Sequence, residues 1–177
     1  MLNLFGLTLS QLQELCLEQG FPKFTARQLC DWLYAKGVSE IDPMTNLSLK
    51  ARSRLAEIAF IGRHSPMQCQ VSKDGTKKYL FEVPHTPGQY VETVYIPDGD
   101  RATLCVSCQM GCKMGCRFCV TGQQGFHGNL LASDILNQIF SIPESEHLSN
   151  IVYMGMGEPM DNLDNILQST EVLTSPW

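Results

Sequence analysis

Apolar residues recur at helical spacing through the first sixty positions. In "QLQELCLEQ", Leu12, Leu15 and Cys16 share one face, Ser10 precedes the run as a cap, and Gly20 stops it. Thr25 stands before "ARQLCDWLYAKG", where Leu29, Trp32 and Leu33 form a stripe that ends at Gly37, and Ser48 stands before "LKARSRLAEIAF". These predict a small helical bundle, with Cys16 and Cys30 in its core. Near Met67 the period shortens. "MQCQVS" and "KKYLFEV" flank "KDGT", a hairpin signal, and "QYVETVYIP" and "RATLCVS" read as two further strands. Beyond residue 128, "NLLASDILNQIFSI" has helical spacing and "NIVYMGMG" reads as a buried strand entering a glycine turn. Asp161 is the expected cap of a last helix, "NLDNILQSTEVL". That alternation of strand and helix predicts a parallel sheet, with a boundary around residues 61–66.

Composition narrows the class. The chain has 177 residues, 44% hydrophobic and 18% charged, with a net charge of −5. That is ordinary globular composition. Its acidity argues against a freestanding nucleic-acid binder, since such affinity rests mainly on phosphate neutralisation. The opening "MLNLFGLTLSQLQELCLEQG" reads as an amphipathic helix without a basic stretch or cleavage site, so no signal peptide is expected. No apolar run reaches membrane-spanning length, and a cytoplasmic protein is expected. Structural disulfides are rare in that compartment, which turns attention to metal or redox chemistry.

Five of the eight cysteines fall within "CVSCQMGCKMGCRFC", from Cys105 to Cys119. Two CxxC pairs, Cys105/Cys108 and Cys116/Cys119, could build a zinc site, but the loop between them is short and Cys112 is left over. Cys108, Cys112, Cys116 and Cys119 could instead close an iron–sulfur cluster, at a spacing unlike the ferredoxin run. The third reading is Cys112-x3-Cys116-x2-Cys119, three thiolates on a four-iron cluster. It leaves one iron open, as a reactive site requires. The first two readings would make a non-enzymatic metal module, either zinc-stabilised or electron-carrying.

The triplet follows a strand and precedes a helix, where ligands sit in α/β folds. Downstream, "MGMGEP" (Met154–Pro159) also follows a strand. Gly155 and Gly157 permit close backbone approach, and Glu158 can pair with an ammonium. The plain alternative for this turn is a strand–helix connection. The C-x3-C-x2-C spacing resembles the signature of the radical S-adenosylmethionine (SAM) superfamily, in which the open iron chelates SAM. The glycine turn resembles that superfamily's contact to the SAM amino group.

Two longer stretches, "YVETVYIPDGDRATLCVSCQMGCKMGCRFCVTGQQGF" and "NIVYMGMGEPMDN", closely resemble the radical-SAM adenine-C2 RNA methyltransferases. The resemblance implies an α/β fold: an N-terminal helical, RNA-engaging domain (1–62), then the start of a partial (β/α) radical-SAM barrel (63–177), truncated at its C-terminal side. It implies a 4Fe-4S cluster held by Cys112, Cys116 and Cys119, and SAM contacted by Gly157 and Glu158. Cys105 matches the resolving cysteine that releases product through a disulfide, and Glu92 matches the proton acceptor. The implied substrates are 23S rRNA and tRNA, the implied partner is a flavodoxin-type electron donor, and the implied full-length state is a monomer. By residue type alone, Glu92 would be a solvated strand residue and Cys105 a small buried hydrophobe.

Cys108 departs from that family's pattern, in which Ser or Thr is common at this position. Length departs as well. From Cys105 to Trp177 there are 73 residues, whereas a full eight-unit barrel takes about 250. Nothing in the chain corresponds to the methyl-carrying cysteine of the family, so the chain alone is not expected to complete catalysis. Candidate RNA contacts are Lys50, Arg52 and Arg54 on one helix and Lys73, Lys77 and Lys78 around the hairpin; by charge alone, a solvated face is the more common explanation.

Overall fold

A computed structural model describes all residues, Met1–Trp177, which form two compact units: Met1–His64 with Gln168–Trp177, and Ser65–Leu167.

The first unit is mainly helical. Strand β1 (Leu2–Asn3) pairs in parallel with β2 (Ala59–Phe60), and helices α1 (Leu9–Glu18), α2 (Phe24–Cys30) and α3 (Leu49–Ile58) lie between them. The chain therefore begins as a strand and turn, where the sequence suggested a helix. Asn3 fixes this start, because its side-chain oxygen accepts the N–H groups of Phe5 (3.0 Å) and Gly62 (2.8 Å). Thr8, rather than Ser10, caps α1, in a reciprocal capping box with Gln11. Helix α2 starts at Phe24 without a side-chain cap and buries Thr25. It continues through a π-helical turn, Asp31–Ala35, to Gly37. Ser48 caps α3 as expected. Leu4, Leu12, Leu29, Leu33, Met44 and Leu55 are fully buried, and Cys16 and Cys30 lie among them. Burial pushes the Cys30 thiol up to about 12, which keeps it protonated and inert.

The second unit is a five-stranded sheet in the order β3-β4-β5-β6-β9. Strands β3 (Gln68–Val71), β4 (Lys77–Glu82), β5 (Tyr90–Asp98) and β6 (Arg101–Cys105) form an antiparallel meander, joined first by the expected hairpin. After β6 come β7 (Gln109–Gly111), the short helix α4 (Val120–Gln123), β8 (Phe126–Asn129) and helix α5 (Ala132–Phe140). Strand β9 (Asn150–Val152) then lies parallel to β6, and helix α6 (Leu163–Thr174) begins in this unit and belongs to the first from Gln168 on. Within this sheet only the β6–β9 pair is parallel. The parallel sheet suggested by the strand–helix alternation begins there, because the short connections up to β6 make hairpins and only the long β6–β9 connection allows a crossover. Strand β9 is half-buried rather than buried.

The sheet has two unlike faces. Tyr79, Phe81, Val91, Thr93, Ala102 and Leu104 are buried on one face, while Lys78, Glu92, Val94 and Cys105 alternate onto a more open one. Behind the buried face, α5 contributes Ile135, Leu136 and Ile139 to the core, and the Thr93 hydroxyl donates to Gln138 Oε1 at 2.6 Å. No helix is long and apolar enough to cross a membrane.

Candidate functional site

The open face of the sheet carries Glu92 and Cys105. Val94 pairs with Cys105 across β5 and β6, so Glu92, two residues from Val94, shares its face with Cys105. The Glu92 carboxylate meets Lys78 Nζ at 2.9 Å, and both side chains are half-exposed. A cleft of about 660 Å³ opens over this face. Its lining includes Lys78, Glu92, Gly111, Thr121, His127 and Met156. It therefore brings Glu92 together with the helix that follows Cys119 and with the glycine turn. Cys105, Gly157, Glu158 and the three loop cysteines are not among its lining residues.

The cysteine loop is clamped at its base. Strands β7 and β8 pair antiparallel on either side of it, and Cys112 N–H donates to Gly125 O at 2.9 Å. Gly111 stands at φ +74°, and a Cβ there would lie 1.9 Å from Gly125 O, so only glycine allows this closure. Within the loop, Cys116 is exposed and Cys112 and Cys119 are half-exposed; none of the eight cysteines is in a disulfide. Main-chain groups of Gly122 and Thr121 draw the Cys119 thiol below its ordinary value, against a smaller opposing effect of desolvation. That favours the thiolate that binds metal. No three Cys, His, Asp or Glu side chains converge closely enough to hold a single metal ion. The loop's three thiols, Cys112, Cys116 and Cys119, are the donor type that an iron–sulfur cluster takes.

Cys108 points away from that role. It is 2% exposed, and its Sγ approaches Met156 O at 3.7 Å. Burial pushes its thiol up to about 12, and the nearby carboxylate of Glu158 adds to the rise. A thiol buried against Met156 O is less available as a fourth ligand than the loop thiols, which weighs against the closed cluster and the four-cysteine zinc site. Cys105, at the end of β6, is also held protonated: burial raises it, partly offset by a main-chain contact to Met154.

The glycine turn packs against the protein's own chain. A Cβ on Gly155 would meet Val106 and Ser107 at 2.8 Å, and one on Gly157, at φ +103°, would meet Gln109 at 2.6 Å. The close approach these glycines permit is thus taken up by Val106–Gln109. Glu158 Oε1 accepts Met160 N–H at 3.1 Å and caps the 3-10 turn Pro159–Asn162. Asp161 does not cap α6; it lies inside that turn and pairs with Lys113 at 3.2 Å.

Sequence reasoning passed over the polar residues that hold these parts together. Ser107, Gln109, Gln138 and Asn162 are at most 3% exposed. Asn162 Nδ2 donates to Cys108 O at 2.7 Å and to Leu130 O at 2.8 Å. Of the candidate RNA contacts, Arg52 donates to Asp42 O at 2.8 Å, Arg54 pairs with Glu57 at 3.0 Å, and Lys77 and Lys78 pair with Glu144 and Glu92. Lys50 and Lys73 are exposed.

The family described as "Ribosomal RNA large subunit methyltransferase N-terminal domain" matches residues 2–61. The chain is 53% identical over 174 residues to the "Probable dual-specificity RNA methyltransferase RlmN" of Porphyromonas gingivalis strain W83. That match covers 98% of this chain and 50% of the relative. The protein of the same name from Phocaeicola vulgatus is 56% identical, with 98% and 49% covered. The "Dual-specificity RNA methyltransferase RlmN" of Geotalea uraniireducens is 44% identical over 169 residues, with 96% and 49% covered. Among solved structures, a radical SAM methyltransferase from Sphaerobacter thermophilus superposes with a TM-score of 0.86 at 36% identity, over 99% of this chain and 52% of that one. The chain spans about half the length of the curated relatives it matches.

Proposed function

We propose that this chain, which matches the N-terminal half of RlmN-type radical-SAM RNA methyltransferases along nearly its whole length, carries the cluster loop, SAM turn and proton acceptor for methylating adenine C2 in 23S rRNA and tRNA. The observation that supports this reading most is the cleft of about 660 Å³, where Glu92, the helix after Cys119 and Met156 of the glycine turn meet. Cys112, Cys116 and Cys119 would hold a 4Fe-4S cluster and leave one iron to SAM. When bound, that cluster supplies the electron for reductive cleavage of SAM.

The chain's own residues then have distinct tasks. One Glu158 oxygen is engaged with Met160 N–H, which aims the carboxylate and leaves the other oxygen to receive the SAM ammonium. Glu92, beside Lys78, accepts the proton lost from the adenine. Cys105, on the same sheet face, waits as a thiol and serves as the disulfide partner that resolves the product. The helical first unit engages RNA, with the exposed Lys50 as its first candidate contact. The electron comes from a flavodoxin-type donor in the cytoplasm.

Iron and sulfide content after anaerobic reconstitution tests the ligand set. About four iron atoms per chain are expected for the unsubstituted protein and for Cys108→Ser, and a loss in each of Cys112→Ser, Cys116→Ser and Cys119→Ser. Iron loss in Cys108→Ser, or a full cluster in any of the other three, would overturn the assignment.

A further inference from the structure

We propose that Ser107 and Gln109 are positioning residues that aim the Met156–Glu158 turn at the cleft and tie it to Glu92 and to the cysteine loop; this rests on the reading above. Both side chains are fully buried. The Ser107 hydroxyl accepts Met156 N–H at 2.9 Å and donates to Glu92 O at 2.6 Å. One hydroxyl thus joins the turn to the strand that bears the proton acceptor. Two residues on, Gln109 Oε1 accepts Glu158 N–H at 2.8 Å, and its Nε2 donates to Asn129 Oδ1 at 2.8 Å. Asn129 ends β8, the strand that closes the cysteine loop. Between them, Met156 O accepts the N–H groups of Cys108 at 2.9 Å and Gln109 at 3.2 Å.

The turn is therefore gripped at three points, one of them the amide of the residue meant to face SAM. The clamp is itself braced from behind. Gln138 on α5 accepts Ser107 N–H at 2.9 Å and returns a hydrogen bond to Ser107 O at 3.0 Å. A buried, fully paired network of this kind has one low-energy arrangement, because any shift leaves a donor or acceptor unpaired. The clearances at Gly155 and Gly157 say the same: the turn lies so close to Val106–Gln109 that no Cβ fits between them. A segment that merely filled space would not need its hydroxyl and amide aimed at the two amides flanking Gly157.

Two substitutions test the proposal independently: Ser107→Ala, and Gln109→Leu, which keeps bulk and removes both side-chain hydrogen bonds. Amide hydrogen exchange at Met156 and Glu158 is read first, without cofactor. Ser107→Ala should speed exchange at Met156 and Gln109→Leu at Glu158, while exchange in β4 is unchanged. The reduced electron paramagnetic resonance signal of the reconstituted chain is then titrated with SAM. Each variant should form the cluster normally and require about tenfold more SAM for the spectral change; Ser107→Thr, which keeps the hydroxyl, should restore the response. Wild-type SAM dependence in both variants would overturn the positioning role while leaving the ligand assignment standing. A cluster that ignores SAM in the unsubstituted chain would overturn the underlying reading, and this role with it. Should one variant not fold, the other carries the test alone.

Discussion

Cys108 and Cys119 are the same residue in opposite settings. Cys108 is buried with its thiol pushed up to about 12, whereas the Cys119 thiol is drawn down by main-chain groups of Gly122 and Thr121. Only the thiolate alkylates, so iodoacetamide should label Cys119 in the native cluster-free chain at lower pH than Cys105, and leave Cys108 unlabelled. Mass spectrometry of the labelled peptides reads the order; early labelling of Cys108 would contradict the geometry that removes it from the ligand set. Glu92 permits a similar separation of chemistry from stability. Its pair with Lys78 is half-exposed, so Glu92→Gln should change folding stability by less than about 1 kcal/mol. A denaturant melt that shifted by several times that amount would make Glu92 a structural residue. The loop cysteines and the glycine turn were legible in the sequence, because their spacing is local. Ser107, Gln109 and Asn162 were not, because the partners that hold the turn and loop lie 15 to 54 residues away and such pairing leaves no period.

At the level of elements, the cysteine loop depends on a crossing that only glycine permits. Gly111→Ala would place a Cβ 1.9 Å from Gly125 O at a φ of +74°. We expect a loss of about 2 kcal/mol or more, with the β7–β8 pair opened. A wild-type melt with unchanged exchange at the Cys112 amide would refute this. Strands β7 and β8 are themselves too short and too rich in glycine to show an alternation, which is why the sequence presented them as plain loop. A second element-scale test concerns the connection after α5. Burial raises the Glu144 carboxyl, but hydrogen bonds from Lys77 and Tyr79 outweigh it and hold the group below its ordinary 4.5. A carboxylate lowered by folding stabilises above its unfolded value and loses that contribution as pH falls through the folded value. Stability should therefore fall more steeply with acid below about pH 4.5 in the native chain than in Glu144→Gln. Parallel acid-unfolding curves would contradict it. Helix starts show the limit of local signals. Thr8 won over Ser10 because Gln11 completes its capping box, a choice of two residues' register that periodicity does not settle.

Across the whole molecule, the residues proposed for chemistry all fall in one of the two units. The sheet unit holds every residue assigned to SAM, cluster and proton transfer, while the helical unit matches the methyltransferase N-terminal domain over residues 2–61. Strand β9 has a neighbour on one side only, and exposed Met154, Met160 and Leu167 follow it. An open parallel edge beside apolar side chains favours association. Sedimentation velocity should show concentration-dependent self-association of the chain, and a monodisperse monomer at high concentration would argue against an unsatisfied edge. Three cysteines are proposed to hold a four-iron cluster with one iron left for SAM. The most direct measurement is the reduced electron paramagnetic resonance spectrum of the anaerobically reconstituted chain, with and without SAM, together with its zinc content. A four-iron signal that changes when SAM is added is expected. A signal indifferent to SAM, or stoichiometric zinc with no cluster, would contradict it.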